Sequence, residues 1–332
     1  MASADESAFV VLVDKPEGPT SHDVVAFVRW ALGVQQVGHC GTLDPLATGL
    51  LVVCVGGATR LVPYLTGVDK VYRARFGLGR ATTTADRAGE TIAAAAIAPG
   101  DPARVAYALK DMCGPLSIPP PAFSAIKVDG KRAHELARKG QAVELAARSM
   151  ALLAVDDLAL ADDAIEATCT VSKGTYIRSL AEELGRRTGV PAHLAALHRI
   201  ASGPLRVGDP RAVTGLVAER LPDRPGLPPK FRLSLPGEGD PRTGARERLR
   251  AAGLAPADAL PFPVVPAPGE LVTGLLHGRP APGGALPAAP ASYAEGLGEA
   301  ERLGVVFSGG ELVIAAHQDG AWRPERVIRT SF

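Results

Sequence analysis

The segment Gly38–Gly49, reading GHCGTLDPLATG, constrains this chain more than any other. Glycines at 38, 41 and 49 release the backbone for tight paths and close approach. One carboxylate, Asp44, stands among them, and the segment runs straight into the apolar Leu50–Val55, which reads as a buried strand. Asp44 admits two readings. Asp is a preferred N-cap and Pro a preferred first-turn residue, so Leu43-Asp44-Pro45-Leu46 can simply open a helix; from spacing alone this is the leading reading. Three features weigh for chemistry. The glycines let a bulky partner come close, and His39 is near enough to donate a hydrogen bond. No second carboxylate lies nearby, so a lone Asp suits a nucleophile better than half of an acid–base pair.

The remaining pattern mixes strands and helices without a regular alternation, which predicts an α+β fold. With 332 residues, two or three domains are expected. Phe9–Val13 reads as a strand ending at Asp14-Lys15-Pro16. Ser21 caps a helix with apolar residues at 24, 25, 27, 28, 31 and 32, stopped by Gly33. Val71–Phe76 alternates as a half-exposed strand. Helices are predicted from Asp101-Pro102 toward Gly114, over Lys131–Lys139 and over Ser179–Thr188, and a strand over Ile165–Val171. Proline and glycine become frequent from Gly208 to Pro268, where Arg242–Arg250 holds the one convincing helix. A small β-rich domain follows, with Gly309-Gly310 as a hairpin turn and Pro280–Ala291 as a loop. The predicted division is 1–210, a connector or insertion at 211–261, and 262–332.

Several functions are excluded. Net charge is +1, so no overall basic signature marks a nucleic-acid binder. Basic residues are nevertheless concentrated at 60–80 (Arg60, Lys70, Arg73, Arg75, Arg80) and 127–148 (Lys127, Lys131, Arg132, Arg138, Lys139, Arg148). Either cluster is a solvated surface or a face presented to a polyanion. Cys40, Cys54, Cys113 and Cys169 lack CxxC spacing, and His193 and His198 lie five apart, so no metal set is expected. Gly77-Leu78-Gly79 lacks the third glycine of a dinucleotide loop, and no phosphate-loop or GxSxG motif occurs. The first residues lack a secretory pattern and no apolar run reaches membrane length. A reduced cytoplasmic protein is the expectation.

GHCGTLDPLATGLLVVCVGGATRLVPYL resembles the catalytic motif of the TruB family of tRNA pseudouridine synthases. The segments Val13–Asp23, Asp69–Tyr72, Gly77–Gly79, Asp86–Glu90, Pro119–Lys127, Ser172–Arg178 and Ala192–Arg199 resemble further motifs of that family, in order, across about residues 10–210. Cys40 stands where many relatives have Thr or Ser, and Gly57 where Glu is common.

The resemblance implies a mixed, largely antiparallel central sheet with flanking helices and a small β-rich, PUA-like C-terminal RNA-binding domain. It implies conversion of uridine 55 in the TΨC loop of tRNA to pseudouridine, without cofactor or metal, by a monomer needing no protein partner. Asp44 would be the nucleophile, Arg178 its cationic partner and Tyr72 the residue stacking on the flipped base. Tyr176 and Leu197 would wall the pocket, His39 would lie near the extruded nucleotide, and Lys15 would support the site or meet phosphate. Two other readings remain: an RNA-folding helper whose chemistry is secondary, and a guide-RNA-dependent synthase. The Gly77–Glu90 segment and the absence of a long basic tail favour the stand-alone enzyme.

Overall fold

The computed structural model describes residues 8–124, 127–128, 131–133, 145–224, 227–237, 239–286, 302–306 and 311–329. They form two compact units, one of Met1–Val68 together with Ala201–Phe332 and the other of Asp69–Ile200.

In the first unit, strand Phe9–Lys15 runs antiparallel to Thr48–Val55, placing Phe9 opposite Val55 and Lys15 opposite Gly49. The short strand Val37–His39 also pairs with Thr48–Val55, His39 opposite Val53. Both long strands are buried along nearly their whole length, as their unbroken apolar runs require. Helix Ser21–Leu32 ends at Gly33 in the left-handed region (φ 73°), as predicted. Its cap is Thr20 rather than Ser21. The Thr20 hydroxyl accepts from the Asp23 amide while the Asp23 carboxylate accepts from the Thr20 amide, a reciprocal capping box. Ser21 is displaced from that role because its buried hydroxyl bonds the backbone of Leu43.

The stretch after Gly208 is more ordered than its proline content predicts. Val217–Arg220 and Phe231–Ser234 form an antiparallel pair, and the predicted basic helix spans Pro241–Ala251, capped by Asp240. Arg242 and Arg246 donate through Nε to the carbonyls of Trp30 (2.9 Å) and Ala31 (3.1 Å). Those carbonyls lie at the C-terminal end of Ser21–Leu32, where a helix favours cations.

The C-terminal sheet has the order Val264–Pro266, Arg302–Val306, Glu311–Gln318, Ala321–Arg329, Ala281–Pro282, the small β-rich element expected. Alternation along Glu311–Gln318 splits its apolar residues between two faces. Val313 and Ala315 join Val272, Leu275 and Trp322 in a core of their own. Leu312 and Ile314 join Val10, Leu12, Leu50 and Val52. Two polar contacts reinforce that seam: Arg60 Nη1 donates to the Val327 carbonyl at 2.6 Å, and the Tyr64 hydroxyl to Glu325 at 2.7 Å. The tract Pro280–Ala291 is not loop throughout, since Ala281 and Pro282 pair with Trp322 and Ala321. Residues 287–301 and the turn glycines Gly309 and Gly310 lie outside the described residues.

The second unit carries the strands Ala192–Ser202, Lys70–Leu78, Ala164–Val171, Arg148–Ala161 and Gly114–Ile118, in that order. The last four run antiparallel to one another in sequence along the sheet. Helices Asp101–Asp111 and Ile177–Thr188 complete a fold that is α+β, as expected. Gly100, not Asp101, is the cap of the first of these helices. The Asp101 carboxylate instead accepts from the Ala98 amide and from Arg104. Of the predicted helix Lys131–Lys139, Lys131–Arg132 pairs as a short strand with Lys127–Val128, and residues 134–144 lie outside the described residues. No helix among the described residues is long and apolar enough to cross a membrane.

Candidate active site

The candidate residues fall into two groups, one in each unit. Lys15, His39 and Asp44 belong to the first; Tyr72, Tyr176, Arg178 and Leu197 belong to the second.

Asp44 caps no helix. Its carbonyl accepts from the Ala47 amide at 3.0 Å, closing a turn, and strand Thr48–Val55 begins directly afterwards. The capping reading suggested by Asp-Pro is therefore ruled out. Gly41 and Gly49 adopt φ of 101° and 93°, so their glycines answer to backbone geometry. The half-buried Asp44 is held through its neighbours' backbone. On one side the Leu43 amide donates to Ser21 Oγ (2.8 Å), which donates back to the Leu43 carbonyl (3.0 Å). On the other the Pro45 carbonyl accepts from the Gly18 amide at 2.8 Å.

Lys15 completes this frame. It is fully buried, and its ammonium donates to the carbonyls of Pro19 (2.7 Å), Pro16 (2.9 Å) and Pro45 (3.5 Å). A buried cation is tolerated only when so satisfied. Of the two expectations for Lys15, its position fits support of the Asp44 loop. His39 meets His22 edge-on, with ring centroids 5.3 Å apart. Next to it, Cys40 is buried with its sulfur 3.5 Å from that of Cys54, and this bond, with burial, pushes the Cys54 thiol up.

In the second unit, Arg178 bonds two segments that are distant in sequence. It is the second residue of helix Ile177–Thr188 and only 4% exposed, which excludes an ordinary surface charge. A cation in a first helical turn opposes the helix dipole, so its placement there needs compensation. Arg178 Nη1 donates to the Thr84 carbonyl at 3.1 Å and Nη2 to the Phe123 carbonyl at 3.0 Å. The adjacent Ser179 hydroxyl donates to the Pro119 carbonyl at 2.8 Å. The loop that leads into motif Asp86–Glu90 and the motifs Pro119–Lys127 and Ser172–Arg178 are thereby tied together. Tyr176 is the N-cap of the same helix. Tyr72 and Leu197 are each 8% exposed. Tyr72 lies on the buried face of its strand with Ala74 and Phe76.

Sequence reasoning attached no role to Asp86. Its buried side chain accepts from the Thr84 hydroxyl at 2.6 Å and the Ala88 amide at 3.0 Å, and its carbonyl accepts from the Thr82 hydroxyl at 2.6 Å. This fixes the loop whose Thr84 carbonyl receives Arg178. The available signal was an Asp two residues before an amide in a glycine-containing loop, the pattern of an Asx turn.

His193 anchors the same region. Its Nδ1 bonds the Arg80 carbonyl at 2.9 Å, and its Nε2 lies 3.5 Å from Arg80 Nη2. Burial holds its pKa below the ordinary histidine value. The unfolded chain therefore takes up this proton first as pH falls, so the stability due to His193 is present above about pH 6.5 and is lost below it. Melting temperature is expected to drop more between pH 7.5 and 5.5 in the wild type than in His193→Gln. Equal drops would contradict this.

Residues 29–177, which include Asp44, Tyr72 and Tyr176, match the family described as TruB family pseudouridylate synthase (N terminal domain). The chain is 45% identical over 266 residues to tRNA pseudouridine synthase B of Symbiobacterium thermophilum, covering 77% of this chain and 85% of the relative. It is 39% identical over 280 residues to the protein of that name from Cereibacter sphaeroides, covering 81% and 89%. Among solved structures, a Cbf5–Nop10–Gar1 complex includes a chain that aligns with a TM-score of 0.67 at 24% identity, covering 96% of this chain and 84% of the other. That likeness is one of fold. The identity to the bacterial relatives, sustained over most of both chains, establishes that this protein belongs to the TruB family of pseudouridylate synthases.

Proposed function

We propose that the protein isomerises uridine 55 in the TΨC loop of tRNA to pseudouridine, with Asp44 as nucleophile. The supporting observation is the 45% identity over 266 residues to a tRNA pseudouridine synthase B. In the reaction the base breaks its bond from N1 to the ribose and rejoins through C5. C5 gives up its proton and N1 takes one up, so composition and oxidation state are unchanged and neither redox partner nor cofactor enters. Asp44 forms a transient bond, either to the ribose carbon or to the base, and is released when the new carbon–carbon bond is made.

Arg178 is assigned as the cationic partner of the reacting carboxylate. A stacked uridine must be extruded, at a cost of about a few kcal/mol. Stacking on an aromatic ring offsets this by roughly 1–3 kcal/mol, the part assigned to Tyr72. Tyr176 and Leu197 line the pocket, and His39 lies beside the extruded nucleotide. The basic stretches 60–80 and 127–148 contribute phosphate contacts, which give affinity without reading sequence. The shape and splayed bases of the T loop select the target.

Incubating the purified chain with an unmodified tRNA transcript tests this reading. Pseudouridine is expected to form with no cofactor, guide RNA or second protein. A transcript left unchanged would refute it.

A further inference from the structure

The hairpin Val217–Arg220/Phe231–Ser234 has no part in the reading above, yet one of its side chains reaches the frame around Asp44. Gly18 has φ 110°, a conformation L side chains rarely adopt. The space a side chain would take there is filled. A methyl on Gly18 would lie 2.7 Å from Phe231 Cε1 and 2.8 Å from Cζ. The Phe231 ring is therefore packed flush against the Gly18 backbone. The Gly18 amide is the one that holds the Pro45 carbonyl at 2.8 Å, one residue from Asp44. The same turn carries the Pro16 and Pro19 carbonyls that receive the Lys15 ammonium.

We propose that Phe231 is a positioning residue for Asp44, its ring fixing the Gly18 turn whose amide sets the Pro45 carbonyl. The inference rests on Asp44 being the nucleophile. It assigns a function to the hairpin: seating from outside the turn that carries the reactive loop. Without the ring, the turn loses the packing that sits flush on the Gly18 backbone and is left to its hydrogen bonds with the Pro45 carbonyl and Lys15. A shift passed to Pro45 moves Asp44 with it, and a misplacement of about 1 Å in a reacting group lowers a rate by up to about 100-fold.

Phe231→Ala, Phe231→Leu, Gly18→Ala and the double variant Gly18→Ala/Phe231→Ala are compared in the full chain with unmodified tRNA. Phe231→Ala is expected to lower kcat about 10-fold while KM for tRNA stays within about twofold. Phe231→Leu, which refills the space, should recover most of kcat. Gly18→Ala should cost less in the Phe231→Ala background than in the wild type, because the ring it collides with is gone. Unchanged kcat in Phe231→Ala overturns the proposal, as does a joint change in kcat and KM that Leu does not rescue. Should Phe231→Ala fail to fold, Phe231→Val, which refills the space only in part, takes its place in each comparison, and unchanged kcat there overturns the proposal. Asp44→Asn, assayed alongside, separates the two ideas. Activity surviving there removes the assignment of Asp44 itself, whereas its loss beside full activity in Phe231→Ala removes only the role of Phe231.

Discussion

Asp44→Asn is expected to abolish conversion, lowering the single-turnover rate by at least about 10⁴-fold, the scale seen when a bond-forming nucleophile is removed. Binding of tRNA should stay within about threefold of the wild type, because phosphate contacts, not the nucleophile, supply most of the affinity. The fold should survive. Asp44 caps no helix, and its loop is held by the backbone of Leu43 through Ser21 and of Pro45 through Gly18 and Lys15. Asn keeps the shape of the side chain and removes only its charge. A variant that binds tRNA and still isomerises it would exclude Asp44 as nucleophile. A variant that loses conversion yet keeps a tRNA-folding effect would favour the RNA-folding reading.

Arg178 gives the second large effect. Arg178→Ala is expected to lower kcat by about 10²–10³-fold, the size associated with removing one group that stabilises charge at a reacting centre. KM for tRNA should change by less than about threefold. The substitution also removes the donors to the half-buried Thr84 and Phe123 carbonyls, each such hydrogen bond contributing about 0.5–1.5 kcal/mol. A lower melting temperature should therefore accompany the kinetic loss. Arg178→Lys discriminates between charge and geometry. It keeps the cation, but an ammonium lacks the planar fork that reaches two carbonyls at once. Partial recovery of stability with poor recovery of kcat is expected. Equal losses in kcat and tRNA affinity for Arg178→Ala would contradict its assigned role.

Local patterns in the sequence carried much of the architecture. The apolar runs at Phe9–Val13 and Leu50–Val55 marked two core strands, and helical spacing after residue 20 marked the helix ended by Gly33. What misled was chemistry shared by neighbours or by alternative structures. Thr20 and Ser21 are both hydroxyl residues; tertiary contact with Leu43 claims Ser21 and leaves the cap to Thr20. Asp44-Pro45 opens helices and turns alike, and the choice falls to a turn because strand Thr48–Val55 follows too soon for a helix to form. The hairpin around Phe231 was hidden because its strands are only four residues long and lie in a proline-rich segment, where local pattern is weak.

The site itself was legible as a set of motifs but not as a geometry. Resemblance supplied Asp44, Tyr72 and Arg178. The carbonyls that hold Arg178 lie 94 and 55 residues away in sequence, and no periodicity announces such partners. The role of Asp86 in shaping the Thr84 loop was missed for the same reason. Its motif was visible, but the carbonyl it presents to Arg178 depends on how distant segments fold together.

A single uridine of the T loop is the proposed target. Two unmodified transcripts of the same tRNA, one with uridine and one with cytidine at position 55, test it most directly when incubated with the bare protein and mapped for pseudouridine along their full length. One pseudouridine per molecule at position 55 in the first transcript, and none in the second, is the predicted result. Equal pseudouridine content in both transcripts would contradict it.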